Sequence, residues 1–133
     1  MADIFIEHLN DKSWQRSSAE RVKKGANPNL SWRHLVDAAQ HDSHTLSLGC
    51  LNIPVGEHLP LHSHAPQEIY FVLQGQGLLL LKNEETRPIE QNNAVYIPEN
   101  ALHGVRNTGD VDLKLLWVFP TDSWNDVAYD FNK

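Results

Sequence analysis

Nine short segments that read as β-strands, with turn chemistry between them and no helical pattern among them, constrain this chain more than any other feature. They fall at 30–36, 45–53, 58–64, 68–73, 77–82, 86–89, 94–97, 103–107 and 111–119. The intervening residues suit tight turns: Asp42-Ser43, Pro54-Val55-Gly56, Gly75-Gln76-Gly77, Asn83-Glu84, Asn92-Asn93, Pro98-Glu99-Asn100 and Asn107-Thr108-Gly109-Asp110. Many short strands at such spacing predict an all-β sandwich or barrel. Without helices between the strands, a parallel βαβ fold is disfavoured. Ahead of the strands, a short helix is predicted over about residues 13–25. Ser17-Ser18-Ala19-Glu20 has the form of a capping box, and Gly25 can end the helix in a left-handed conformation. Ala26-Asn27-Pro28-Asn29 reads as a turn. The tail, 121–133, is expected to be a short helix or an extended arm.

The 133 residues are expected to form one domain, 1–133, large enough to bury a core without disulfide or metal staples. There is no internal repeat or linker. A net charge of -6, with no basic run longer than Lys23-Lys24, disfavours a nucleic-acid partner. No apolar run approaches the roughly 20 residues that span a bilayer. The N-terminus carries early acids and is not read as a secretory signal. One cysteine, Cys50, excludes an internal disulfide and fits a reducing compartment, so a cytoplasmic location is expected.

Eight histidines in so short a chain call for a reading by position. Side chains alternate along a strand, so His62 and His64 share a face, as do Glu68 and Tyr70 on the next strand. Ala65-Pro66-Gln67 connects the two tightly. If these strands are neighbours in a closed barrel, His62, His64 and Glu68 converge inside it. Another strand begins at His103. Imidazoles with a carboxylate form a borderline donor set, suited to one divalent ion of Fe, Mn, Ni, Co or Zn.

The remaining candidates carry weaker signals. Tyr70 should face the interior beside such an ion, as core packing or as a general base whose phenol a cation acidifies. Of Trp32, Tyr96, Trp117, Trp124 and Tyr129, one or two are expected to line a pocket, where a cationic ligand group could rest on their faces. Cys50 is expected to be a buried, inert thiol. His58 is read as a solvated loop residue, although its parity with His62 could bring it to the pocket mouth. Arg33 and Arg106 are read as surface charges. His8, His34, His41 and His44 have no partner pattern.

The longer spacing is more specific. Gly56, five residues, His62, one, His64, three, Glu68, six, Gly75 resembles the first cupin motif at every defined position. Asn92, Pro98, Asn100, His103 and Asn107 fall on the frame of the second, with Asn for Gly at 92 and 100. Asparagine is the non-glycine residue best able to take positive φ. The resemblance covers about residues 45–120. It implies a double-stranded β-helix, or jelly-roll, barrel with a metal on His62, His64, Glu68 and His103.

Further segments resemble one cupin group, the small dimethylsulfoniopropionate (DMSP) lyases of marine bacteria. They are 32–38 (WRHLVDA), 46–49 (LSLG), 62–70 (HSHAPQEIY), 95–97 (VYI) and 117–122 (WVFPTD). This likeness implies Tyr70 as catalytic base, with Tyr129 as a second site tyrosine. It also implies a small carboxylate substrate, cleaved to dimethyl sulfide and acrylate by β-elimination. An iron-dependent dioxygenase or isomerase acting on a small organic acid uses the same ligands. So does a non-catalytic binding cupin. A homodimer is expected from the family and from strand edges that need cover.

Overall fold

The computed structural model describes residues 2–131. Its nine strands match the nine sequence segments: β1 (Ser31–Val36), β2 (Ser47–Ile53), β3 (His58–His62), β4 (Glu68–Gln74), β5 (Gln76–Leu80), β6 (Thr86–Glu90), β7 (Ala94–Ile97), β8 (His103–Asn107) and β9 (Leu113–Phe119). They form a five-stranded sheet, β1-β2-β9-β4-β7, and a four-stranded sheet, β3-β8-β5-β6. Every pairing is antiparallel. This is the jelly-roll form of an all-β barrel.

Period-two patterning explains which residues enter the barrel. On β9, Leu113, Leu115, Trp117 and Phe119 are buried and their neighbours are not. On β4, Glu68, Tyr70 and Val72 are buried, while Ile69, Phe71 and Leu73 face outward. Two polar side chains thus enter the core on the same row as Val72. Gly49 on β2 stands opposite Trp117, and a Cβ there would run into the indole ring.

Strands β3 and β4 belong to different sheets, so the expectation that they are neighbours is corrected. The chain crosses from one sheet to the other between His62 and Glu68. Their side chains therefore meet across the barrel interior, not side by side along a ladder. The helix is also shorter than predicted. α1 spans Ala19–Lys23, and its cap is Ser18, whose hydroxyl accepts from the Arg21 N–H. The stretch ahead of it is extended instead, because Gln15 exchanges main-chain hydrogen bonds with Trp32 along the edge of β1. Pairing that edge favours an extended chain over further helical turns. Gly25 has φ 121° and closes α1 as expected.

The tail is mainly an arm. After a single 3-10 turn at Trp124–Asp126 it runs back along the barrel, and Asp130 exchanges main-chain hydrogen bonds with Ser63. Residues 132 and 133 of the predicted tail lie outside the described residues. Asp37 anchors the arm by accepting from the Trp124 N–H at 3.0 Å. No helix among the described residues is long and apolar enough to cross a membrane.

Both asparagines that replace motif glycines take the left-handed conformation, Asn92 with φ 75° and Asn100 with φ 63°. The Asn100 N–H also donates to the His64 carbonyl at 2.9 Å, so this turn supports a site residue directly. Left-handed backbone disfavours a side chain by about 1–2 kcal/mol, less for asparagine. Asn100→Ala is expected to lower unfolding free energy by about 1 kcal/mol in denaturant titrations, and Asn100→Gly to leave it nearly unchanged. Equal losses in the two variants would show that the φ value is not what selects asparagine.

Candidate metal centre

His62, His64 and His103 come from a strand end, the crossing loop and the first residue of β8, and all three are buried. One ring nitrogen from each lies within 4.8 Å of the others. Cross-strand pairing of His62 with His103 sets two of them. The tight connection after β3 sets the third.

The orientation of each ring is fixed by the main chain. His62 Nδ1 lies 2.8 Å from the Pro60 carbonyl, His64 Nδ1 2.8 Å from the Pro66 carbonyl, and His103 Nδ1 2.8 Å from the Ala101 carbonyl. A carbonyl oxygen only accepts, so each Nδ1 must carry the proton and donate it. Each Nε2 of the neutral ring is then a bare lone pair. The Nε2 atoms of His62 and His103 are buried and have no hydrogen-bond partner. That of His64 lies 3.1 Å from Glu68 Oε1, and that of His103 lies 3.4 Å from the same oxygen. Four buried acceptors therefore converge with no proton assigned among them by the main-chain bonds. A divalent cation fits this donor set, since it satisfies all four at once. Burial, assisted by the neighbouring His103, holds the His62 imidazole well below its ordinary pKa, which keeps it in the neutral form that a metal needs.

Tyr70 follows Glu68 on the inward face of β4, and its ring lies 6.0 Å from that of His103. Burial, and then the Glu68 carboxylate, push its phenol well above the usual range. Tyr129 arrives from the other direction on the C-terminal arm. Its ring stacks on His62 at 4.8 Å and 17°, and its hydroxyl accepts from Trp124 Nε1 at 3.1 Å. Burial raises the Tyr129 phenol as well. The structure thus brings together all six residues singled out from the sequence.

A cavity of about 40 Å³ meets this cluster at Glu68, Tyr70 and Tyr129. Four of the five aromatic candidates line it, Trp32, Trp117, Trp124 and Tyr129, rather than one or two. Tyr96 does not; it lies on the outer face, where its hydroxyl donates to Gln67. His58 stands on β3 and not in a loop. Arg33 is partly buried, stacked 3.8 Å over Trp14, whereas Arg106 is exposed. Cys50 is fully buried, and burial raises its thiol pKa.

Three residues were not legible as part of this region. His34 is buried with its ring edge-on to Trp117 at 5.7 Å, and Phe131 closes over His62. Arg21 reaches in from α1 and forms part of the cavity wall. No spacing rule ties these distant positions to the motif; only the capped helix start gave Arg21 a local address.

Burial also holds His34 below its ordinary pKa. In the unfolded chain His34 and His62 take protons as the pH falls through about 6.5. The unfolded state then binds more protons than the folded state, so stability rises with pH and falls on acidification. Between pH 7 and 5, unfolding free energy in chelator is expected to drop by up to about 1.4 kcal/mol per pH unit for each ring once below pH 6.5. A flat profile across that window would contradict neutral, buried imidazoles.

Residues 49–119 match the cupin domain family, just over half of the chain. Auxin-binding protein 1 of Arabidopsis thaliana is 32% identical over 97 residues, covering 67% of this chain and 49% of that protein. The dimethylsulfoniopropionate lyase DddW of Ruegeria pomeroyi is 29% identical over 102 residues, covering 77% of this chain and 66% of that protein. The chain thus spans about half to two-thirds of the length of these two relatives. Among solved structures, the polyketide cyclase RemF from Streptomyces resistomycificus superposes with a TM-score of 0.79 at 18% identity, covering 98% of this chain and 87% of that one, a likeness of fold alone. Barrel topology, paired motifs and domain match agree, and the chain belongs to the cupin family.

Proposed function

We propose that this chain is a metal-dependent lyase that removes the proton next to the carboxylate of a small organic acid, with Tyr70 as the base. The observation that carries the reading is the Tyr70 phenol, buried on the same strand face as Glu68 at the edge of the cavity. A divalent metal held by His62, His64, Glu68 and His103 would supply Lewis-acid charge to a bound carboxylate.

The chain's own residues account for the rest. As a phenolate, Tyr70 is a strong base, because burial raises its proton affinity. A metal ion held by Glu68 would offset the carboxylate charge that otherwise opposes ionisation of Tyr70. Tyr70 Oη takes the α-proton, and the electron pair left on carbon forms a double bond as the β-substituent departs with its own pair. Tyr129 and Phe131 cover His62 and help keep water from the reacting carbon. The cavity beside them is small, which favours a small acid. Similarity to a DMSP lyase nominates DMSP as the specific substrate, with dimethyl sulfide and acrylate as products. Similarity to auxin-binding protein 1 supports a second reading, a non-catalytic cupin that binds a metal and a small ligand.

Two measurements on the metal-loaded protein test the reaction. In deuterium oxide, proton NMR should show exchange of the α-hydrogens of a bound acid, and headspace chromatography should detect dimethyl sulfide from DMSP. General base catalysis contributes about 10²–10⁴-fold, so Tyr70→Phe should lower both signals at least a hundredfold. Exchange that persists undiminished in Tyr70→Phe overturns the assignment of the base. Tight binding with neither exchange nor elimination favours the binder.

A further inference from the structure

The cavity wall carries a charge that neither the metal ligands nor Tyr70 explains. Arg21, at the middle of α1, sits over three aromatic rings: 4.9 Å from the Trp124 centroid, 5.3 Å from Tyr129 and 5.4 Å from Trp32. These are among the faces that the sequence offers to a cationic ligand group, and the chain's own guanidinium is stacked on them. Its one side-chain hydrogen bond among the described residues is to Ser17 Oγ at 2.8 Å, and no carboxylate there pairs with it. Ser17 also lines the cavity. Glu68 is the only acidic residue of the lining, and the imidazoles of the metal centre surround it.

Two further donors of the lining also lack a partner among the described residues. The indole N–H groups of Trp32 and Trp117, both buried residues of the cavity wall, have no acceptor among the described residues. Burial of Arg21 disfavours its charged form, yet a guanidinium stays protonated in proteins. A half-buried guanidinium without a carboxylate partner is stabilised by an anion with oxygen acceptors. A like charge brought into the same space is repelled.

We propose that Arg21 is a specificity-determining residue that binds a second anionic oxygen group, so that the site takes small dianionic acids, one carboxylate toward the metal ligands and the other on Arg21. The proposal rests on the reading of the metal centre as a carboxylate site. It narrows the substrate class within that reading: DMSP, whose sulfonium meets the guanidinium, is then a weakly bound substrate, cleaved at high concentration but disfavoured against a dicarboxylate of similar length.

The test uses the full chain loaded with Co(II), whose visible spectrum reports ligand binding without turnover. Matched pairs of acids are titrated: malonate against propionate, succinate against butyrate, glutarate against valerate. At least one dicarboxylate should bind about tenfold or more tightly than its partner. In Arg21→Gln that preference should fall to about onefold, and in Arg21→Lys it should be partly kept. A merely structural arginine would shift both members of a pair alike, leaving their ratio unchanged. An unchanged ratio in Arg21→Gln overturns the proposal, as does DMSP binding as tightly as the best dicarboxylate; the carboxylate site then stands on the binding of the simple acids. If no acid of either kind perturbs the Co(II) spectrum, the carboxylate site fails and the proposal falls with it.

Discussion

Inside this barrel three imidazoles give their Nδ1 protons to the carbonyls of Pro60, Pro66 and Ala101, and thereby aim three lone pairs and the Glu68 carboxylate into one buried space. Each buried polar atom left without a partner destabilises a fold by about 1–3 kcal/mol. Crowding four acceptors together without a cation or proton would therefore oppose folding by an amount comparable to total domain stability. Hydrogen bonding to the main chain, not packing alone, fixes this geometry. The carbonyls leave no freedom of tautomer, so the donor set is preorganised for a metal before one arrives.

The topology makes that convergence possible. His62 and His103 meet on the four-stranded sheet, Glu68 and Tyr70 enter from the five-stranded sheet, and His64 lies on the crossing between them. The C-terminal arm then brings Tyr129 over His62, held by the Ser63–Asp130 bridge and by Asp37. Glu68, Tyr70 and Tyr129 share the cavity lining with the indoles of Trp32, Trp117 and Trp124 and with the Arg21 guanidinium.

Much of this was legible in the sequence, for reasons specific to strands. A period of two makes inward positions readable, so the shared face of Glu68 and Tyr70 follows from their spacing. Asn92 and Asn100 announced left-handed turns because few other residues tolerate them. What escaped was long-range. The strands flanking Ala65-Pro66-Gln67 looked like ladder neighbours, yet a tight connection can equally cross between sheets. The cap of α1 slipped by one residue because Ser17 and Ser18 offer the same chemistry, and pairing of Gln15 with Trp32 kept the preceding chain extended. Arg21 carried no signal in the sequence; nothing local shows that the helix docks its third residue against Trp32, Trp124 and Tyr129.

The claim on which the account depends is that His62, His64, Glu68 and His103 hold one metal ion together. X-ray absorption spectroscopy of the protein loaded with one equivalent of Zn(II) or Fe(II) reads that directly. The account predicts three imidazole nitrogens and at least one oxygen at about 2.0–2.2 Å, as such ligands adopt around zinc. A first shell with fewer than two imidazoles, or one that is unchanged when His62 and His103 are both replaced by alanine, would contradict it.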